Sequence, residues 1–200
     1  MLDCDLDIGE KERLATASDL AAIARIHKVA YSRNHFTALL PEPVLIRYYG
    51  SFLAEGTEIH LALGADERIK GFTVYGTGIP EKIAAFKKGC AKHILLTSLK
   101  HPWIAAHKAM KAVAIRLGQA TSCPPADFLL LSIAVAEPLR GVGKSLLHVT
   151  IAAARERGHQ RLGLYVNYDN IRAINAYHVV GFRIKAFHVG QYYMEADLIG

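Results

Sequence analysis

Asn170-Ile-Arg-Ala-Ile-Asn-Ala-Tyr-His-Val-Val-Gly-Phe182 reads as a helix over 170–180 that Gly181 brings to a stop. On its N-terminal side, 161–166 reads as a strand. On its C-terminal side, 182–189 and 192–198 form a closing hairpin around Gly190. Upstream stands a second marked turn, Leu139-Arg-Gly-Val-Gly-Lys-Ser145. It joins 128–136, a strand apolar on both faces as a central strand is, to a helix over about 144–157. Leu147, Ile151 and Ala154 mark the buried side of that helix, and Gly158 ends it.

The first half follows the same grammar. Residues 11–17 predict a first strand. Ser18 or Asp19 then caps a helix carrying Leu20, Ile23, Ile26, His27 and Ala30 at helical spacing. Pro43 opens a second helix to about Ala54, with Leu45, Tyr48, Tyr49 and Leu53 on one side. Residues 58–64 and 69–76 are strands joined by the turn Ala65-Asp-Glu-Arg68. The segment 80–125 changes character: helical periodicity broken at Gly89, Pro102, Gly118 and Pro124–Pro125 predicts two or three short inserted helices, with Trp103, Ile104, Met110 and Ile115 packing on the body. The fold class is therefore α/β (α+β): a mixed sheet flanked by helices on both faces, with a helical insertion between the third and fourth strands. One domain spans 1–200, with 80–125 inserted into it.

Composition limits the function. Hydrophobic residues make up 52% and charged residues 21%, which excludes global disorder. The longest apolar stretch, near 128–136, is a strand's length and too short for a membrane span. The acidic start of the chain does not read as a signal peptide, so a cytoplasmic location is expected. Cys4, Cys90 and Cys123 form no paired framework and read as free thiols. The histidines show no ligand spacing, so no metal is expected. The net charge of +6 is local: Lys82, Lys87, Lys88, Lys92, Lys100, Lys108, Lys111 and Arg116 stand against Glu81 alone within 80–125.

The glycine turn is the first candidate site. Two glycines before a helix let backbone N–H groups and the positive helix end converge on a pyrophosphate, with Arg140 and Lys144 adding charge. A phosphate-loop NTPase is excluded because Pro138 stands where the first glycine belongs. The dinucleotide fingerprint fails because Leu146 replaces its third glycine.

The stretch 170–182 then points to a family. Asn170, Ala173, Ile174, Tyr177, Gly181 and Phe182, together with the upstream glycine turn, resemble the signature of the GNAT superfamily of N-acyltransferases. The resemblance covers about 126–198 and more weakly 11–76, but not 80–124. It implies a mostly antiparallel sheet in which two parallel central strands splay apart to admit acetyl-CoA. Backbone at Ile133, Ala134 and Val135 would pair with the pantetheine arm, and the turn from Leu139 through Arg140, Gly141, Val142, Gly143 and Lys144 to Ser145 would hold the pyrophosphate. Asn170 would bond near the pantetheine. A primary amine would attack the thioester directly, a strand N–H would polarise the carbonyl, and Tyr177 would protonate the leaving thiolate.

Two departures stand out: Pro138 alters the turn, and the run 128–133 offers only Ser132 in place of the family's frequent carboxylate. The base is sought among Glu58, His60, Asp127, Tyr168 and water. The expected partner is a small-molecule amine, which the basic insertion would suit if it is acidic. Alternatives are an acyl carrier protein bringing a longer chain, or a CoA-binding module without catalysis. Nucleic acid is not supported, since the basic residues carry only Phe86 and Trp103 between them and no recognised motif occurs. Monomer and homodimer both remain open.

Overall fold

The computed structural model describes residues 11–31, 35–103, 106, 125–136, 141–188 and 190–199. Among the described residues seven strands form one sheet: β1 (Lys11–Leu14), β2 (Thr57–Leu63), β3 (Ile69–Gly76), β4 (Phe128–Val135), β5 (Arg161–Asn167), β6 (Arg183–His188) and β7 (Gln191–Asp197). Their order is β1-β2-β3-β4-β5-β7-β6. All neighbours are antiparallel except β4 and β5. This is the mixed, mostly antiparallel sheet expected above.

Helices cover both faces. On one side lie α1 (Leu20–Ala30) and α2 (Glu42–Gly50), packed on Ile59, Leu61, Phe72 and Val74. Ile23, Leu45 and Tyr49 are fully buried there. On the other side Leu147, Ile151 and Ala154 of α5 (Val142–Glu156) pack with Ile174 and Tyr177 of α6 (Ile171–Val179) over Leu130, Leu162 and Leu164. The buried stripe of α5 is the one its spacing predicted. Its start lies two residues earlier than expected, because Gly141 takes φ 98° and serves as N-cap. The second helix ends at Gly50 rather than near Ala54, and Thr57 Oγ1 donates to Phe52 O across the turn that follows, 2.9 Å.

The insertion is helical where it is described: α3 (Ile79–Gly89) and α4 (Ala91–Lys100) lie between β3 and β4. Ile79, Ile83, Phe86, Cys90 and Ile94 form the stripe that meets the core. Trp103 corrects the expectation made for it. It is 55% exposed and meets the edge of His101 instead, because the stripe through Phe86 and Ile94 already fills the contact. Ile104, Met110 and Ile115 lie outside the described residues, as do Cys4 and Cys123; Cys90 is a buried free thiol. No helix among the described residues is long and apolar enough to cross a membrane.

β1 is shorter than expected because Thr16 turns the chain. Thr16 N donates to Asp19 Oδ2, 2.8 Å, and Arg13 binds the same carboxylate with two hydrogen bonds of 2.7 and 2.8 Å. The Arg13 guanidinium holds the buried Asp19 carboxyl well below the usual carboxylate range, and Thr16 adds to it. A carboxyl depressed on folding contributes stability above its unfolded pKa near 3.9 and loses it as pH falls. Asp19→Asn is expected to cost about 2 kcal/mol at pH 6 and to flatten the loss of stability below pH 4. Thermal unfolding between pH 7 and pH 3 checks this, and equal melting at pH 6 overturns it.

Candidate active site

The ladder between the two parallel strands is short. Phe128, Leu129 and Leu130 pair with Leu162, Gly163 and Leu164, and there pairing ends. β4 continues along β3 as far as Val135, while β5 continues along β7 as far as Asn167. The strands thus part beyond Leu130. At the same point β4 carries a bulge: Tyr75 pairs with Leu130 and Val74 with Ser132, leaving Leu131 without a partner on β3. From Leu131 onward, one edge of a central strand has no strand partner on the β5 side.

A cleft of about 600 Å³ opens at the parting. Ile133, Ala134 and Val135 form its β4 wall, and Asn170, Arg172, Ala173 and Tyr177 its α6 wall. Gly141, Gly143 and Lys144 stand at the start of α5, with Val29 and Ala30 from the end of α1 opposite. The first bond of α5 is Ser145 N–H to Gly141 O, 2.9 Å. The N–H groups of Val142, Gly143 and Lys144 are consequently free of the helix ladder and carry its positive end. At Gly143 an added Cβ would meet nothing closer than Val135 Cγ2 at 3.8 Å, so the absence of a side chain there serves the open cleft rather than the packing.

Most of the expected residues meet in this cleft: Ile133, Ala134, Val135, Gly141, Gly143, Lys144, Asn170 and Tyr177. Two do so only through backbone or not at all. The Val142 side chain is buried against Ala62 and Leu146, and Ser145 Oγ donates to Glu12 Oε1 at 2.5 Å. Asn170 has a structural task as well: its Oδ1 accepts from Ala173 N–H, 3.2 Å, and caps α6. Leu139 and Arg140 lie outside the described residues. Of the candidate bases, none lines the cleft. Glu58 accepts from Tyr75 Oη, 3.1 Å, and pairs with Arg157, at the far end of β3. His60 meets the same Tyr75 hydroxyl at 3.2 Å. Asp127 precedes β4 at its opposite end, and Tyr168 is exposed.

Tyr177 is 8% exposed and lies against Phe182, ring centroids 5.8 Å apart. Its hydroxyl makes no side-chain hydrogen bond among the described residues. Burial pushes its pKa well above the usual phenol value, and the nearby Tyr31 hydroxyl adds to this. It is therefore a neutral donor at working pH. Burial thus takes the phenol further from the ordinary range of a thiol. A thiolate released into the same apolar cleft is raised in basicity by the same loss of solvation, which restores the driving force for transfer.

Sequence reasoning missed Arg172, a cation on the cleft wall, and Tyr31, just past the end of α1, whose Oη lies 2.8 Å from Ser132 Oγ on β4. Arg172 lies inside the quoted stretch, and Ser132 had been noted only as the lone polar residue of its strand.

With this geometry in place, the comparisons with known proteins agree. The model of the acetyltransferase (GNAT) family matches residues 112–182. In structure, the chain is similar to yncA from Salmonella typhimurium, solved with its cofactor acetyl-CoA: TM-score 0.58, 15% identity, 95% of this chain and 94% of that one. It is similar to the ribosomal-protein-S18-alanine N-acetyltransferase from Escherichia coli: TM-score 0.58, 15% identity, 96% and 95% covered. It is also similar to the PaiA N-acetyltransferase from Thermoplasma acidophilum in complex with coenzyme A: TM-score 0.52, 14% identity, 94% and 98% covered. No match was found among curated proteins. The chain has the fold of the GNAT acetyltransferases, and its second half carries that family's sequence pattern.

Proposed function

We propose that this protein is an N-acetyltransferase that moves the acetyl group of acetyl-CoA to a primary amine of a small molecule by direct attack, within a single domain spanning 1–200. The observation that carries the reading is the parting of β4 and β5, which leaves a strand edge, a helix N-terminus and a buried phenol facing one cleft. The free edge at 131–135 suits the two amides of a pantetheine arm, which add to it as a short strand. The N–H groups of Gly143 and Lys144, the Lys144 and Arg172 cations and the positive end of α5 suit its pyrophosphate. Leu139 and Arg140 belong to the same turn in sequence. Asn170 positions α6 at that wall.

In the reaction the amine lone pair forms the C–N bond, and a β4 backbone N–H holds the developing oxyanion. The C–S bond breaks with its electron pair on sulfur, and Tyr177 gives that sulfur its proton. The likeness to acetyltransferases favours acetyl over longer chains, and the intact Tyr177 favours catalysis over binding alone. Thermal unfolding with acetyl-CoA, longer acyl-CoAs and ATP tests the donor. Free-thiol release with a panel of amino acids, polyamines and aminoglycosides tests the acceptor. Stabilisation by acetyl-CoA but not ATP, followed by thiol release, is expected; no shift with any acyl-CoA overturns the reading.

The acceptor is expected to be acidic. Lys87, Lys88, Lys92 and Lys100 are exposed on α3 and α4, and charge of this density steers an anion. Exchanging Lys87 and Lys88 for Glu is expected to raise the acceptor KM roughly tenfold at low salt with kcat unchanged. Unchanged acceptor kinetics would show that the lysines form a solvated face.

A further inference from the structure

Six polar side chains from four separate places in the chain form one hydrogen-bonded line through the core beside the cleft. His35 Nδ1 lies 2.8 Å from Thr37 Oγ1, and that hydroxyl lies 2.8 Å from His27 Nε2. His27 Nδ1 lies 2.6 Å from Tyr49 Oη. Tyr49 Oη reaches Ser132 Oγ at 3.4 Å, and Ser132 Oγ reaches Tyr31 Oη at 2.8 Å. The outer end, His35, is half-buried; His27, Tyr49 and Ser132 are 2%, 0% and 7% exposed. The inner end is buried just behind the cleft wall, directly after Val29 and Ala30, which line it. Tyr31 Oη is 3.5 Å from Ile133 O, on the strand segment that walls the cleft, and it is near enough to Tyr177 to oppose its ionisation.

Direct attack leaves a proton on the amine nitrogen, and no carboxylate among the described residues lines the cleft to take it. Pinning α1 and α2 to β4 needs only the Ser132 contacts; a line that continues through a histidine to the protein's exterior does more than that.

We propose that this line moves the acceptor's proton, with Tyr31 as the catalytic residue that meets the attacking amine and His35 as the proton's temporary holder. The inference rests on the acyltransferase reading above. One orientation serves every link. Tyr31 donates to Ser132, Ser132 to Tyr49, Tyr49 to His27 Nδ1, His27 Nε2–H to Thr37, and Thr37 to His35 Nδ1. As the C–N bond forms, the amine proton passes to Tyr31 Oη and each donor hands on its own proton, leaving His35 protonated. Tyr177 meanwhile gives its proton to the departing sulfur. The shift reverses every donor in the line, which is the orientation needed for return. A proton then runs back from His35 to Tyr31 and on to the Tyr177 phenolate. Over the cycle one proton moves from amine to thiol, and both ends are reset.

The state of His27 fits this use. Burial, with His35 and Lys28 opposing a charge, lowers its pKa to about 3. A neutral imidazole accepts on one nitrogen while donating from the other, whereas an imidazolium only donates.

Thr37 is the link to cut, since it lies on a short surface helix, 36–39, away from the cleft. Thr37→Val keeps the shape and removes the hydroxyl; Thr37→Ser keeps the hydroxyl. Thiol release from acetyl-CoA is followed with the best amine of the panel or, where none is turned over, with water, which must surrender a proton at the same point. Thr37→Val is expected to lower kcat roughly 10²-fold with the acetyl-CoA KM and thermal shift unchanged. Thr37→Ser should restore most of the rate, and added imidazole should partly rescue His35→Ala. Wild-type kcat in Thr37→Val, or equal losses in Thr37→Val and Thr37→Ser, overturns the relay while leaving the acyltransferase standing. A wild-type protein that releases no thiol with either acceptor overturns both.

Discussion

Tyr177→Phe is expected to lower kcat for acetyl transfer by roughly 10²-fold while the KM for acetyl-CoA stays within about twofold. The size follows from what the hydroxyl does and does not do. It is held in an apolar wall, neutral at working pH, and faces the point where the strands part. It makes no side-chain hydrogen bond among the described residues, so removing it leaves no orphaned partner, and phenylalanine keeps the contact with Phe182. A loss confined to kcat therefore marks a group that acts in the transition state. Wild-type kcat would show that the phenol only packs α6 on the sheet. Stopped-time thiol release under saturating acetyl-CoA, with the melting temperature as control, separates these outcomes.

Gly143→Asp is expected to abolish stabilisation by acetyl-CoA without harming the fold. A ligand present at about 100 times its Kd adds about 2.7 kcal/mol, which is about 5–10 °C for a domain of this size. The variant should lose that shift. The open space around Gly143 admits a side chain, its backbone is already helical, and an acid in the first turn suits the helix dipole. The unliganded melting temperature should then be unchanged or slightly raised. The new carboxylate would occupy the mouth of the cleft, against the diphosphate that the free N–H groups of α5 would otherwise meet. A variant that still shifts with acetyl-CoA would place the cofactor's phosphates elsewhere; one that fails to fold would give Gly143 a packing role that its surroundings do not indicate.

How far the chain could be read before its structure was known depended on the range of the forces involved. Helix α6 was legible because its ends are local: Gly181 with φ 103° stops it, and Asn170 closes its first turn. Strands β2 to β5 were legible to within a residue or two because each is a short run of strand formers between turn residues. The glycine turn at 141–143 announced the start of α5 for the same reason. Trp103 was misplaced because the helical period alone does not tell which of several apolar positions the core selects.

By itself, then, the sequence determined the order of elements, the glycine-marked helix start, the capped helix carrying Tyr177 and the family likeness. Those depend on backbone preferences and hydrogen bonds spanning a few residues. Tertiary structure alone decided where β4 leaves β5, the bulge at Leu131 and the exclusion of Glu58, His60, Asp127 and Tyr168 from the cleft. It also decided the line from His35 to Tyr31, whose members stand as far apart in the chain as Tyr31 and Ser132. Strand register and buried polar contacts are set by pairing and packing across long stretches of chain, where each residue's partner is chosen by the whole sheet and not by its neighbours in sequence.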